Sequence, residues 1–431
     1  MTLDTEPCDL SAVDAAAAIR ARRLSSSALV RSCLDRIAAR DASVHAWAFL
    51  DPDLAVAAAR AADRAEPRGP LHGIPVGLKD IIDTYDMPTA CNSPIYANRR
   101  PYADAGCVAL LRGAGGIVLG KTVTTEFANR HPGPTRHPLA PDHTPGGSSS
   151  GSAAAVADRQ VPLALGTQTS GSTIRPAAYC GIVGFKPSFG EISRVGVRQQ
   201  SGSLDTMGLC ARTLADIVLL RAVVAGIPYE PLPPMDTPPR IALCRTPQWD
   251  EASPAAQTAL ERAATTLAAA GALVSELSLP TALFDDWQGD HRRIANFESA
   301  RNFGHERHLH GDRLSRALRD GRIRDGERCR LEDYIASQRR AEAMRAWADE
   351  MFAGADAILT LAAPGEAPVG LGETGAATFN SLWTLLYTPC VTLPFAKGDG
   401  RLPLGVQLVG RRHEDERLFA VAAWAERRLA G

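Results

Sequence analysis

Short apolar runs of strand length alternate with longer, alanine-rich amphipathic stretches through the first half of the chain. That change of period, from two to about 3.6 residues, predicts an α/β fold with a substantial sheet. Ser11–Arg20 reads as a helix, and Ser25-Ser26-Ser27 offers caps for a second that runs to about Arg40. Asp53–Ala65 reads as a third, solvated on one side, and Pro67-Arg68-Gly69-Pro70 ends it. Ile74–Leu78 is then a short buried strand that delivers Lys79 and Asp80 at its end. Further on, Asp104–Arg112 is a helix closed by Gly113, Gly116–Gly120 a buried strand and Leu163–Gly166 another. Between these strands, Asn129–His143 is a long loop rich in Pro and His, and Ser152–Val156 starts a tightly packed helix.

In the second half, Ser253–Ala270 is helical and Gly271 is placed to stop it. From Trp287 to Met351 the pattern is helical again and dense in arginine. Acidic residues interleave throughout, so the segment reads as a helical cover and not as a nucleic-acid module. Strand patterns return at Ala357–Leu361, Cys390–Pro394 and Gly405–Val409. With no long linker and no repeat, residues 1–431 read as one domain. Its parts are a core of about 65–225, the cover at about 250–352, and C-terminal strands with a helix over 353–431.

Composition narrows the function classes. A formal net charge of −1 gives no bulk electrostatic case for nucleic acid or an anionic membrane. No run approaches 18 uninterrupted apolar residues, and the start, Met1–Glu6, lacks the apolar core of a signal peptide. Nine cysteines, Cys8 to Cys390, make no CxxC pair and no ligand spacing, which reads as reduced thiols. A cytoplasmic protein without metal or cofactor is the expectation.

Candidate chemistry lies in two glycine-bounded turns. Gly146-Gly147-Ser148-Ser149-Ser150-Gly151-Ser152 and Gln168-Thr169-Ser170-Gly171-Ser172 present small hydroxyl residues on loosened backbone. Such composition usually marks a linker, but these runs are short and helix-ready residues follow at once. Serine attacks an amide only if a base takes its proton and donors hold the oxyanion. Lys79, in a mostly apolar segment, is a base candidate. An ordinary lysine is neutral only about 0.04% of the time at pH 7, and burial lowers its pKa by several units. Two other motifs carry less. Gly115–Thr122 fits GxxxxGK[ST], yet its inner Ile-Val-Leu is itself a strand where a phosphate loop needs a turn. His305, His308 and His310 do not share one helical face and lack a completing ligand, as at a solvated helix end.

Taken in order, these residues resemble the amidase signature family of serine hydrolases. The resemblance runs from about His72 to Thr213 and resumes weakly near the C-terminus. It rests on Gly77-Leu78-Lys79-Asp80, on His143–Ser152, on Gly166–Ser172, on the 24-residue separation of Ser148 and Ser172, and on Cys180–Pro187. It implies a large mixed β-sheet core flanked by helices on both sides. It also implies Ser172 as nucleophile, Ser148 as proton relay and Lys79 as base, with a cis peptide bond at Gly147–Ser148. Backbone N–H groups of Thr169, Ser170, Gly171 and Ser172 would form the oxyanion hole. Two departures stand out: Ser170 replaces the family's usual glycine, and Gln168 stands where many members have aspartate. Gln168-Thr169 with Ile174-Arg175-Pro176 looks closest to malonamidase-type enzymes. Gly147 and Arg175 are then substrate-side candidates. A guanidinium could pair with a substrate carboxylate or carbonyl, or simply bond local backbone.

The function implied is hydrolysis of a small carboxylic amide through an acyl-enzyme on Ser172, releasing ammonia or an amine. The alternatives are the amidase subunit of an amidotransferase, or an acyl transferase or pseudo-hydrolase on the same scaffold. A small-molecule amide is the expected partner, and a homodimer is an assembly the reading allows.

Overall fold

A computed structural model describes residues 5–232 and 235–429; the acidic start Met1–Asp4 lies outside them. Helix starts follow the side chains able to cap them. Ser11, Ser25 and Ser253 accept the N–H of Asp14, Ala28 and Ala256, and so begin Ala12–Arg20, Ser26–Val44 and Pro254–Ala269. The second of these runs past Arg40 to Val44, where His45 turns left-handed at φ 53°. Gly271, at φ 102°, ends the third helix as its position predicts.

Eleven strands form one sheet: β1 (Trp47–Leu50), β2 (Pro75–Lys79), β3 (Ile117–Thr122), β4 (Leu163–Gln168), β5 (Val183–Lys186), β6 (Thr206–Ala211), β7 (Arg240–Leu243), β8 (Leu273–Glu276), β9 (Ala357–Leu361), β10 (Cys390–Lys397) and β11 (Pro403–Val409). Their order is β1-β3-β2-β4-β6-β5-β10-β11-β9-β7-β8. β2 lies parallel between β3 and β4, β7 lies parallel between β9 and β8, and the strands joining the two groups are antiparallel. The sheet is therefore mixed, as the family resemblance implies. β1, β5, β6, β7 and β8 add to the strands expected from apolar patterning. β7 and β8 are only four residues long, and β8 is exposed at three of its four positions, so neither length nor alternation marks it.

Every residue of β2, β3 and β4 is buried, which places two lysines inside the protein. Lys121 ends in hydrogen bonds to Thr89 Oγ1 (2.7 Å) and the Pro88 carbonyl (3.1 Å), with Asp80 at 3.5 Å. The GxxxxGK[ST] stretch is thus a strand with an anchored lysine, and no phosphate loop. The helix Ser150–Ala157 lies on the sheet so closely that a Cβ at Gly151 would collide with the Ala46 carbonyl and the Val123 backbone. Arginine density in the cover has a local cause: Arg293 and Arg340 both converge on Asp290, which is buried in the helix Trp287–Asn302.

Candidate active site

Lys79 is the last residue of β2 and is fully buried. Its Nζ donates to Ser148 Oγ at 2.7 Å and to Thr167 Oγ1 at 2.8 Å. Burial pulls its pKa down to about 7, against the upward pull of Asp205 and Cys210. Roughly half of the amine is then neutral at pH 7. Ser148 follows a cis Gly147–Ser148 peptide bond, and its carbonyl accepts from Thr125 N–H at 3.3 Å. The two glycine-bounded turns meet where Ser149 N–H donates to the Ser172 carbonyl at 3.2 Å. Lys79 and Ser148 are thus in direct contact, and Ser172 is held beside them through its backbone. Among the described residues no hydrogen bond joins the Ser148 and Ser172 hydroxyls.

The turn after β4 is shaped from both ends. Gln168 Oε1 accepts the N–H groups of Thr173 (2.9 Å) and Ile174 (3.0 Å), and so caps the helix Ile174–Cys180. Its Nε2 donates to Thr384 Oγ1 at 3.1 Å, while that hydroxyl donates to the Ser170 carbonyl at 2.8 Å. A carboxylate at position 168 could accept both N–H bonds but could not donate to Thr384. Gly171 is required by space, since a Cβ there would sit 2.6 Å from Asn380 Oδ1. Among the described residues the N–H groups of Thr169, Ser170, Gly171 and Ser172 have no protein acceptor. Such a set of free donors beside a serine can receive an oxyanion.

The Ser170 side chain meets a histidine. Its Oγ lies 3.3 Å from His291 Nε2, which is also 3.0 Å from the Thr169 carbonyl. A carbonyl only accepts, so Nε2 carries the proton and holds the turn from outside. Burial lowers the His291 pKa to about 4, and the ring is neutral near pH 7. Thr169 Oγ1 donates to Asp205 Oδ1 at 2.6 Å, and Asp205 Oδ2 accepts from the N–H groups of Gln200 and Ser201. Thr167, Asp205, His291 and Thr384 were not legible as site residues. Thr167 sits inside the Gly166–Ser172 motif, whose residue types do not mark its hydroxyl as a lysine partner; Asp205, His291 and Thr384 stand outside it, and His291 reaches the turn from 122 positions away.

Arg175 is positioned differently from a free substrate clamp. Its Nη1 donates to the Gly375 carbonyl at 2.8 Å, and its Nη2 to the Gly147 carbonyl at 2.5 Å and to Thr374 Oγ1 at 3.2 Å. The side chain is buried, which lowers its pKa to about 10. It bonds backbone, as one of its two expected uses required, but that backbone belongs to distant segments. Arg175 therefore braces the relay turn against the 374–375 loop. Gly147 takes part through its carbonyl.

A cavity of about 610 Å³ opens over Ser172, with Ser170, Arg175 and His291, and also Arg130, Arg322 and Glu373, in its wall. Arg322 donates to Gln200 Oε1 at 2.8 Å. Among the described residues neither Arg130 nor Arg322 is in a salt bridge. His305, His308 and His310 lie on the separate helix Gly304–His310. Among the described residues no three His, Cys, Asp or Glu side chains are placed to hold a metal ion.

The amidase family model matches residues 28–419. This chain belongs to the amidase family. It is 33% identical over 470 aligned positions to a glutamyl-tRNA(Gln) amidotransferase subunit of Chloroflexus aurantiacus, covering 97% of this chain and 96% of that one. The counterpart of that protein in Acidothermus cellulolyticus, which carries the same name, is 42% identical over 295 positions, which span 63% of this chain and 58% of that relative. A solved amidase structure superimposes with a TM-score of 0.88 at 31% identity, over 97% of this chain and all of that one. Membership and the mixed sheet agree with the sequence reading. The malonamidase-type assignment is not what these relatives favour: the full-length match is named for an amidotransferase.

Proposed function

We propose that this amidase-family enzyme cleaves a small carboxamide through an acyl-enzyme on Ser172. The observation that carries the reading is the 2.7 Å contact of Lys79 with Ser148, made by a buried amine beside a serine turn with free N–H groups. Ser172 Oγ attacks the amide carbonyl while its proton passes to Ser148, whose own proton goes to neutral Lys79. The oxyanion bonds to the N–H groups of the 169–172 turn. The relay then returns a proton to the nitrogen, the C–N bond breaks and ammonia leaves. Water attacks the ester by the same relay, freeing the acid and Ser172.

The cavity supports a substrate with a second, anionic group. Arg322 and Arg130 are cations without carboxylate partners, and a guanidinium pairs well with a carboxylate. For the fate of the ammonia, the full-length relatives favour an amidotransferase component, which hands it to an acceptor bound elsewhere, over a free-standing hydrolase. The structural neighbour described as an amidase supports release to solvent. An ammonia assay over glutamine, malonamate, succinamate and uncharged amides tests the core reading in wild type, Ser172→Ala and Lys79→Ala. Turnover only in wild type is expected, and equal turnover in all three would refute the mechanism. Glutaminase activity that depends on an added partner would assign the amidotransferase role.

A further inference from the structure

We infer that the amide taken by this site carries two negative charges on its acyl chain, received by Arg130, Arg292 and Arg322. This rests on the amide-cleaving role proposed above and goes beyond the single anionic group argued there. Four guanidiniums, those of Arg130, Arg175, Arg292 and Arg322, line the catalytic cavity, and among the described residues Glu373 is the one carboxylate in its wall. Among the described residues none of these five side chains is in a salt bridge. Arg175 is committed to the Gly147 and Gly375 carbonyls, which leaves three cations for a ligand. Asp205 also acts on Arg322, but its oxygens are already filled by Thr169 Oγ1 and the N–H groups of Gln200 and Ser201. Counting Asp205 together with Glu373, the four cations still exceed the carboxylates by two. A single carboxylate on the substrate would leave one charge unmatched.

The excess is felt around the oxyanion turn. Burial, and after it Arg130, lower the Arg322 pKa to about 10. Burial also lowers the Arg175 pKa to about 10, and Arg130 pushes it the same way. Arg322 and Arg292 add to the burial that holds His291, the partner of that turn, at about 4. Like charges gathered without acids oppose one another's charged form, and a bound dianion relieves all of them together. Unmatched polar atoms of the wall have the same bias. Among the described residues, Asn129 Nδ2, Arg175 Nε and Trp287 Nε1 are buried donors without an acceptor, against one unmatched acceptor, Asn129 Oδ1. Carboxylate and phosphonate groups bring acceptors, and a guanidinium fork suits both. At about 610 Å³ the cavity also has room for a branched acyl chain beside the carboxamide.

Arg130 and Arg292 are exposed, so replacing them leaves the core intact. The test measures ammonia release from three amides in wild type, Arg130→Leu and Arg292→Leu. Glutaramate carries one carboxylate. The terminal monoamide of tricarballylate has the same chain with a second carboxylate, and phosphonobutanamide places both charges on one group. In wild type, kcat/KM for at least one dianionic amide is expected to exceed that for glutaramate at least a hundredfold. The better of the two tells a dicarboxylate from a phosphate-type substrate. That preference should fall at least tenfold in each variant, whatever the absolute rates. Turnover of glutaramate with no gain from either dianion, or a preference unchanged in both variants, would overturn this inference and leave the proposed function standing. Ammonia release from none of the three would overturn the proposed function with it.

Discussion

At the scale of single residues, the proposed role of Lys79 as base follows from its burial. Holding a lysine fully buried with a pKa near 7 means the folded protein binds fewer protons than the unfolded chain between about pH 7 and the ordinary lysine value. Stability contributed by this group therefore rises with pH across that window and is lost as pH falls toward 7. Lys79→Met should abolish turnover yet unfold at a higher temperature than wild type, by a margin larger at pH 6.5 than at pH 9. Thermal melts at the two pH values check the sign. Activity has the matching direction: kcat/KM should rise through an apparent pKa near 7 as the neutral amine forms. His291 acts through the turn and not as a base, since its Nε2 proton is committed to the Thr169 carbonyl. His291→Phe should lower kcat about tenfold with little change in KM, because a misplaced oxyanion donor affects the transition state more than binding. An unchanged kcat would remove His291 from the site.

At the scale of elements, the site is made by two turns and the strand and helix ends that hold them. Gln168 joins β4 to the helix Ile174–Cys180 by accepting two of its first N–H groups. Gln168→Leu leaves those buried donors unpaired and should cost about 2 kcal/mol by urea unfolding, with activity falling in step. Gln168→Glu keeps both acceptor bonds and should cost less. How far the sequence carried this picture depends on range. That Lys79, Ser148 and Ser172 would come together was legible because each stands in a compact motif whose residue types suggest the proposed chemistry. The helices Ala12–Arg20, Pro52–Arg64 and Pro254–Ala269 were legible within two residues because their capping side chains are local. β7 and β8 were not, since they exist as strands only by pairing with each other and with β9 far along the chain. The use of Arg175 was hidden for the same reason: its acceptor Gly375 lies 200 positions away. Nor could local pattern show that Arg322, in a cover that reads as surface, would reach the catalytic cavity.

At the scale of the whole molecule, one sheet assembles a site from segments that are distant in sequence. β2, β3 and β4 bury the proposed base, the turn after β4 carries the proposed nucleophile, and the arginine-dense cover lines one side of the cavity. Under the proposed function, Arg130 and Arg322 in the cavity wall are the determinants of substrate choice. Arg322→Leu should raise KM for a carboxylate-bearing amide such as succinamate at least tenfold, while leaving an uncharged amide of similar length almost unaffected. Equal effects on both would place the substrate's second group elsewhere. The central claim, that Lys79 and Ser148 activate Ser172, is tested most directly by fluorophosphonate labelling followed by mass mapping of the modified peptide. The account predicts one adduct, on Ser172, forming at least a hundredfold more slowly in Ser148→Ala and Lys79→Ala. An adduct on another serine, or equal labelling rates in all three proteins, would contradict it.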